Sequence, residues 1–226
     1  MDHVSAYLTF FRNAEALKDT LRSGHTTRGR PESTAEHSWR LTLMALALQG
    51  DLPGIDHHRL LGLLIVHDLG EAVSGDIPAP QQTGSKIAEE RRDMVALLAP
   101  LPDEAAARLL ALWDEYAAAE TPEARLAKGL DRLETVLQHV QGRNPPDFDI
   151  GFNLAYGRAQ TDSHPLIAAL RDPVDAETAR RAGRPWPVRP GEGERSISPK
   201  RAGRPMFTNG WRLSTTAGTG LVEGER

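Results

Sequence analysis

Hydrophobic positions recur along this chain at helical rather than strand spacing. Between residues 4 and 22 they fall at Val4, Leu8, Phe11 and Leu17, one face of a 3.6-residue period. The stretch Pro31-Glu32-Ser33-Thr34-Ala35-Glu36 predicts a helix start. Ser33 can accept from a free first-turn amide, and Glu36, three residues on, completes a capping box. That helix is expected to run to about Gln49, where Gly50 ends it. A second helix is predicted from roughly His57 to Val73, capped by Asp56 and broken by Gly75-Asp76-Ile77-Pro78. A third runs from about Ser85 to Leu98, stopped by Pro100 and Pro102, and a fourth covers Asp103–Ala119. Thr121-Pro122-Glu123 opens a fifth with a cap and a first-turn proline, and Gly142 closes it. Shorter helices are expected at 149–160 and 163–171. No convincing alternating strand is present, so the expected fold class is all-α.

The apolar fraction of 39% in 226 residues is low for a fully folded chain, and the dilution has a location. Residues 183–226 hold 8 of the 20 glycines and 5 of the 16 prolines, with 8 Lys/Arg against 4 Asp/Glu. Arg181-Ala-Gly-Arg-Pro185 returns there as Arg201-Ala-Gly-Arg-Pro205. The segment has no helical or strand period and too few apolar residues to offset the entropy of ordering. The expected organisation is therefore one domain over 1–182 and a Gly/Pro/Arg-rich, disordered tail over 183–226. A basic segment touching nucleic acid or an acidic partner is the alternative for the tail.

The body carries 19 Lys/Arg against 27 Asp/Glu, a net of -8, which gives no reason to expect nucleic acid as a partner. There is no cysteine, so disulfides, thiolate metal sites and cysteine nucleophiles are excluded. Any metal must sit on His, Asp or Glu. The N-terminus lacks the pattern of a secretory signal. The longest apolar stretches, Leu41–Leu48 and Leu60–Val66, are too short to span a bilayer. The expected location is the cytoplasm, without a membrane partner.

His67-Asp68 follows the run Leu60-Leu-Gly-Leu-Leu-Ile-Val66, so two polar residues arrive at the end of a buried helix. Burying an ionised aspartate without a partner costs several kcal/mol, and either a metal ion or a hydrogen-bond network would offset that. Imidazole and carboxylate suit Mn, Co, Fe, Zn or Mg to differing degrees. Glu71 lies four residues after His67 and three after Asp68, on the same face of a continuous helix. Asp76 follows in the next turn. Such a cluster of carboxylates would repel itself without a cation. His37 stands early in a well-capped, largely apolar helix, and a satisfied core histidine would also fit there. Asp131, with Glu134 one turn on, would equally suit a solvated face beside Lys128 and Arg132.

Taken in order, His37, His67-Asp68 and Asp131 resemble the signature of the HD-domain phosphohydrolase family. The wider spacing is similar to the five-prime deoxynucleotidase-like branch of that family. Arg30-Pro31-Glu32-Ser33-Thr34-Ala35-Glu36-His37 stands for its Arg-Pro-Glu-Ser-x-x-x-His. His67 to Pro78 stands for His-Asp-x-x-Glu running into Gly-Asp-Ile-Pro, and Lys128, Asp131 and Glu134 stand for its Lys-x-x-Asp-x-x-Glu. The resemblance covers roughly residues 5–180. It implies a helical bundle and one divalent metal held by His37, His67, Asp68 and Asp131. It further implies hydrolysis of a small nucleotide, a (deoxy)ribonucleoside 5′-monophosphate, by a homodimer. One position departs: His25 stands where the branch often has an aromatic in Arg-x-Gly-Trp, which would alter substrate preference if that residue shapes the pocket.

A single divalent ion would lower the pKa of a bound water. Glu71 is then the expected general base or acid, and Asp76 would orient the sugar hydroxyl or help protonate the leaving group. Arg22 is expected to hold the phosphate, its planar fork matching the oxygens. Lys128 is a further substrate-binding candidate, with Arg28 and Arg30 behind it. The rivals are another small phosphate ester, a triphosphate, a cyclic nucleotide, or a non-catalytic nucleotide-binding role. Few basic residues argue against triphosphates. The absence of histidine from 69–130 argues against a two-metal phosphodiesterase.

Overall fold

The computed structural model describes residues 2–77 and 86–185. The chain folds as α1 (His3–Ala14), a 3-10 turn, β1 (Leu21–His25), β2 (Pro31–Ser33), α2 (Thr34–Ala47), α3 (His57–Val66), α4 (Glu71–Ser74), α5 (Lys86–Leu98), α6 (Asp103–Ala118), α7 (Pro122–Gln141), α8 (Arg158–Thr161) and α9 (Pro165–Arg181). The fold is helical, as expected. The proposed tail lies, from residue 186 on, outside the described residues, and so do Pro78 and Ser85.

Helix starts follow the capping chemistry of the sequence. Ser33 accepts from the Glu36 amide while the Glu36 side chain takes the Ser33 amide. Asp56 accepts from the Arg59 amide at the head of α3, and Thr121 caps α7 with Pro122 at the first helical position. Each such cap contributes about 1 kcal/mol.

Four expectations fail, one of them the helix over 149–160, which is a 3-10 turn at Ile150–Leu154 followed by the short α8. The predicted helix over 4–22 stops at Ala14, and Leu21–His25 pairs antiparallel with Pro31–Ser33. This small hairpin satisfies the backbone leading into α2 and carries Arg22 towards the interior. The predicted helix His57–Val73 ends at Val66. The chain continues through tighter i→i+3 turns, with the amides of Leu69, Glu71 and Ala72 donating to the carbonyls of Val66, Asp68 and Leu69. Two contacts fix that break. The Trp113 indole N–H donates to the His67 carbonyl at 3.1 Å, and Gly70 approaches α5 so closely that an added Cβ would lie 3.1 Å from the Glu90 carbonyl oxygen. Finally, the last helix does not stop at 171 but runs through Pro173 to Arg181. The buried Arg171 donates to Asp175 at 2.8 Å across the missing hydrogen bond of that proline.

Helix α7 is the hub and packs against α2, α3, α6, α8 and α9. One core cluster gathers Leu41, Leu60, Leu63, Leu64, Leu126, Leu130, Leu133 and Ile167. A second joins Phe10, Val66, Met94, Leu97, Leu98 and Trp113. The start of α2, the end of α3 and the middle of α7 bring His37, His67 and Asp131 together.

Candidate active site

His37 on α2 is fully buried, and its Nδ1 lies 2.5 Å from Glu134 Oε2 on α7. His67 caps α3, and its Nδ1 donates to the Leu64 carbonyl at 2.9 Å. Each ring therefore has one nitrogen tied behind it, which turns Nε2 outward. Both Nε2 atoms are buried without a well-directed hydrogen bond, and each faces a carboxylate. Asp131 Oδ1 sits 3.3 Å from His37 Nε2, and the nearest ligand atoms of His37, His67 and Asp131 all lie within 4.8 Å of one another. Asp68 Oδ2 joins them at 2.9 Å from His67 Nε2 and 3.8 Å from His37 Nε2. Two imidazole nitrogens facing two carboxylates in a buried space are a donor set that fits a divalent ion.

The surroundings are strongly polarised. Burial and Arg22 oppose a charge on His37, yet Glu134 and Asp131 push its pKa up to about 10. Burial also opposes the Asp131 and Asp68 carboxylates. Arg132 and His37 beside the first, and His67 and Arg22 beside the second, hold both below the usual carboxylate range. Glu71 behaves oppositely: burial, Asp68 and Asp76 raise it to about 9, while Thr34 Oγ1 donates to it at 2.9 Å. Burial likewise raises Asp76. Perturbed carboxylates beside a cavity mark a site suited to proton transfer.

That cavity has a volume of about 420 Å³, within the range of small-molecule sites. His67, Asp68, Glu71, Asp76, Asp131, Arg22 and Lys128 all line it. Arg22 donates to Asp68 at 3.2 Å and to Thr135 at 3.3 Å. The Lys128 ammonium lies 3.9 Å from the centre of the Tyr116 ring, and Tyr116 donates to Asp131 at 2.7 Å.

Several readings of the sequence change here. Asp131 and Glu134 are buried, so the solvated-face alternative is excluded. Glu71 reaches the cavity through the tight turn after α3, not along a continuous helix. Arg30 is exposed and pairs with Glu36, away from the cavity. His25 does not line the cavity; its amide donates to Asn144 at 3.2 Å and its carbonyl accepts from Gln138. The residue at position 25 therefore shapes the pocket at most through its backbone. Conversely His139, Tyr116, Thr135 and Arg132 do line the cavity. So do Phe148, Phe152 and Tyr156, whose four-residue spacing was a readable signal. Trp39 is exposed, whereas Trp113 is buried behind His67.

The sequence profile of the HD domain matches residues 14–171. The chain belongs to the HD domain family. This HD domain is 38% identical over 183 residues to the 5′-deoxynucleotidase HDDC2 of Danio rerio, with 76% of this chain and 88% of that protein covered. It is 32% identical to the protein of the same name from Homo sapiens, covering 75% and 85%. Its fold is similar to the crystal structure of a predicted metal-dependent phosphohydrolase from Magnetospirillum magnetotacticum. That match has a TM-score of 0.70 and 30% identity, covering 80% of this chain and 95% of that one.

Proposed function

We propose that this HD domain is a metal-dependent phosphomonoesterase that converts (deoxy)ribonucleoside 5′-monophosphates to nucleoside and phosphate. The observation that carries this reading is the convergence of the buried Nε2 atoms of His37 and His67 on the Asp68 and Asp131 carboxylates, beside a cavity lined by Arg22. The relatives named 5′-deoxynucleotidase support the substrate class.

His37, His67, Asp68 and Asp131 would hold one divalent ion. When bound, such an ion supplies Lewis acidity and lowers the pKa of water. Arg22 and Lys128 line the cavity and would hold the phosphate oxygens. Arg22 is already fixed by Asp68 and Thr135, so little ordering remains to be done on binding. Glu71 holds a proton that the reaction can use, since burial, Asp68 and Asp76 keep its carboxyl protonated at neutral pH. Asp76 faces the same cavity and is the group to orient the sugar hydroxyl or to serve the leaving oxygen. Tyr116 and Arg132 fix the Asp131 carboxylate from behind.

Among the described residues no helix is long and apolar enough to cross a membrane. A nucleotide substrate suits a cytoplasmic location, and a homodimer would cover the exposed apolar positions Val4, Leu8 and Phe11 of α1.

The test is a panel of deoxy- and ribonucleoside monophosphates incubated with metal-supplemented protein. Release of phosphate from monophosphates supports the reading. No release with metal bound overturns it.

A further inference from the structure

The catalytic end of the cavity accounts for its charged lining but not for its aromatic one. Phe148, Phe152 and Tyr156 form a separate wall contributed by the segment between α7 and α8. Phe152 is 41% exposed although it faces a cavity. Its ring centre lies 5.3 Å from that of Tyr156, with the planes 32° apart. Tyr156 in turn is tied to the catalytic end. Arg132 Nη1 donates to its hydroxyl at 2.5 Å and lies 3.4 Å from Asp131 Oδ2. The Arg132 guanidinium also lies over the Tyr156 ring, 5.1 Å from its centre, so a molecule anchored at Asp131 and Arg22 would extend towards the exposed ring of Phe152, which Tyr156 backs.

The wall is built to stay put. Arg171 on α9 is fully buried and takes no part in the cavity lining. Its Nη2 donates to the carbonyls of Asn153 and Tyr156, the latter at 2.9 Å, while Nε is held by Asp175. Asn153 Oδ1 meets His139 Nδ1 at 3.0 Å, and the His139 ring packs edge-on against Phe148 at 4.9 Å. The Phe152 amide donates to Asp149 at 3.2 Å. A buried charge committed to the carbonyls of an irregular segment fixes that segment's backbone, and fixed aromatic faces bind flat ligands with little ordering cost.

We propose that Phe152 is the nucleobase-stacking residue of this cavity, with Tyr156 backing its ring and Arg171 as the residue that positions the segment. The proposal rests on the reading of the substrate as a nucleoside monophosphate. Stacking accepts every base because each has a π-face, so this wall gives affinity for the nucleoside end with weak discrimination among bases.

The test compares wild type, Phe152→Ala and Arg171→Lys on two substrates, deoxyadenosine 5′-monophosphate and the base-free 2-deoxyribose 5-phosphate. Phe152→Ala removes a side chain that the core does not use, so this variant folds. In it KM for the nucleotide rises on the order of tenfold, kcat stays near wild type, and the base-free substrate is turned over within about twofold of wild type. Arg171→Lys keeps the charge but loses the planar fork, and its loss is likewise confined to the nucleotide. Should that variant not fold, Phe152→Ala decides. Calorimetric binding of deoxyadenosine alone, without phosphate chemistry, weakens by a similar factor in Phe152→Ala. Equal losses on both substrates, or an unchanged nucleotide KM in Phe152→Ala, would overturn the proposal while leaving the phosphomonoesterase reading intact. A wild type inactive on both substrates would overturn both.

Discussion

Glu134 gives the sharpest test of how the site is built, because it touches no expected ligand except through a histidine nitrogen. It is fully buried, lies 2.5 Å from His37 Nδ1, and accepts from Arg40 Nε at 2.6 Å. Burial opposes its charge, but His37 and Arg40 keep its pKa below the usual range. Replacing it with alanine leaves the His37 ring N–H without an acceptor and takes the carboxylate from Arg40, which keeps only Gln141 and the position-134 carbonyl. Breaking a buried pair by removing one partner costs about 3–5 kcal/mol, so Glu134→Ala loses much of the margin of a domain this size. Glu134→Gln keeps the shape, and its amide oxygen can still accept from one of the two donors. What it loses is the negative charge that makes the His37 ring a stronger donor to a cation. Removing such a supporting carboxylate lowers metal affinity about 10–100-fold. The assay is calorimetric titration of Mn²⁺ or Co²⁺ into metal-free protein, with urea unfolding alongside. A Glu134→Gln protein that folds and binds either ion as tightly as wild type would refute the argument that Glu134 orients His37 for a metal.

Three further outcomes follow from the same geometry. Metal-free His37 keeps its proton up to about 10 and Glu71 up to about 9, above their unfolded values of roughly 6.5 and 4.3. Both raised values stabilise the folded metal-free state at low pH and lose that contribution as pH rises. The Glu71 contribution is lost between about pH 4.3 and 9 and the His37 contribution between about 6.5 and 10, so unfolding free energy of the metal-free protein should fall most steeply between about pH 6.5 and 9, and metal binding should release protons and tighten with pH; the opposite slope there in urea melts would contradict this. Arg22→Ala should raise KM for a monophosphate by more than tenfold in steady-state phosphate release, since it removes a charge-assisted fork, and an unchanged KM would place the phosphate elsewhere. Gly142→Ala should destabilise by at least 1–3 kcal/mol, on the order of an overpacked core site, because its Cβ would fall 2.1 Å from the His25 carbonyl oxygen; wild-type thermal stability would show that the hairpin moves freely.

Much of this arrangement was legible in the sequence because it is written in local chemistry. Ser33 with Glu36 and Thr121 with Pro122 announce α2 and α7 through caps that need only neighbouring residues. The spacing of His37, His67-Asp68 and Asp131 likewise survives without coordinates. What was hidden depends on distant partners. Leu21–His25 has no alternating pattern, and its pairing with Pro31–Ser33 is visible only once the two meet. No glycine or proline marks the end of α3 at Val66. The stop comes from Trp113, 46 residues away, and from the approach of α5 to Gly70. Glu134 reads as a surface carboxylate until His37 and Arg40 are seen against it. The four-residue spacing of Phe148, Phe152 and Tyr156 is visible in the sequence, but that they form a wall is not, because their irregular segment is held by Arg171 from another helix.

The central claim is that His37, His67, Asp68 and Asp131 hold one divalent ion on which phosphate release depends. The direct measurement strips the protein of metal and follows phosphate released from a deoxynucleoside monophosphate as Mn²⁺ or Co²⁺ is returned, beside Asp68→Ala. The account predicts no release from stripped protein, recovery that saturates near one ion per chain, and no recovery in Asp68→Ala. Full release from stripped protein, or from the Asp68→Ala variant, would contradict it.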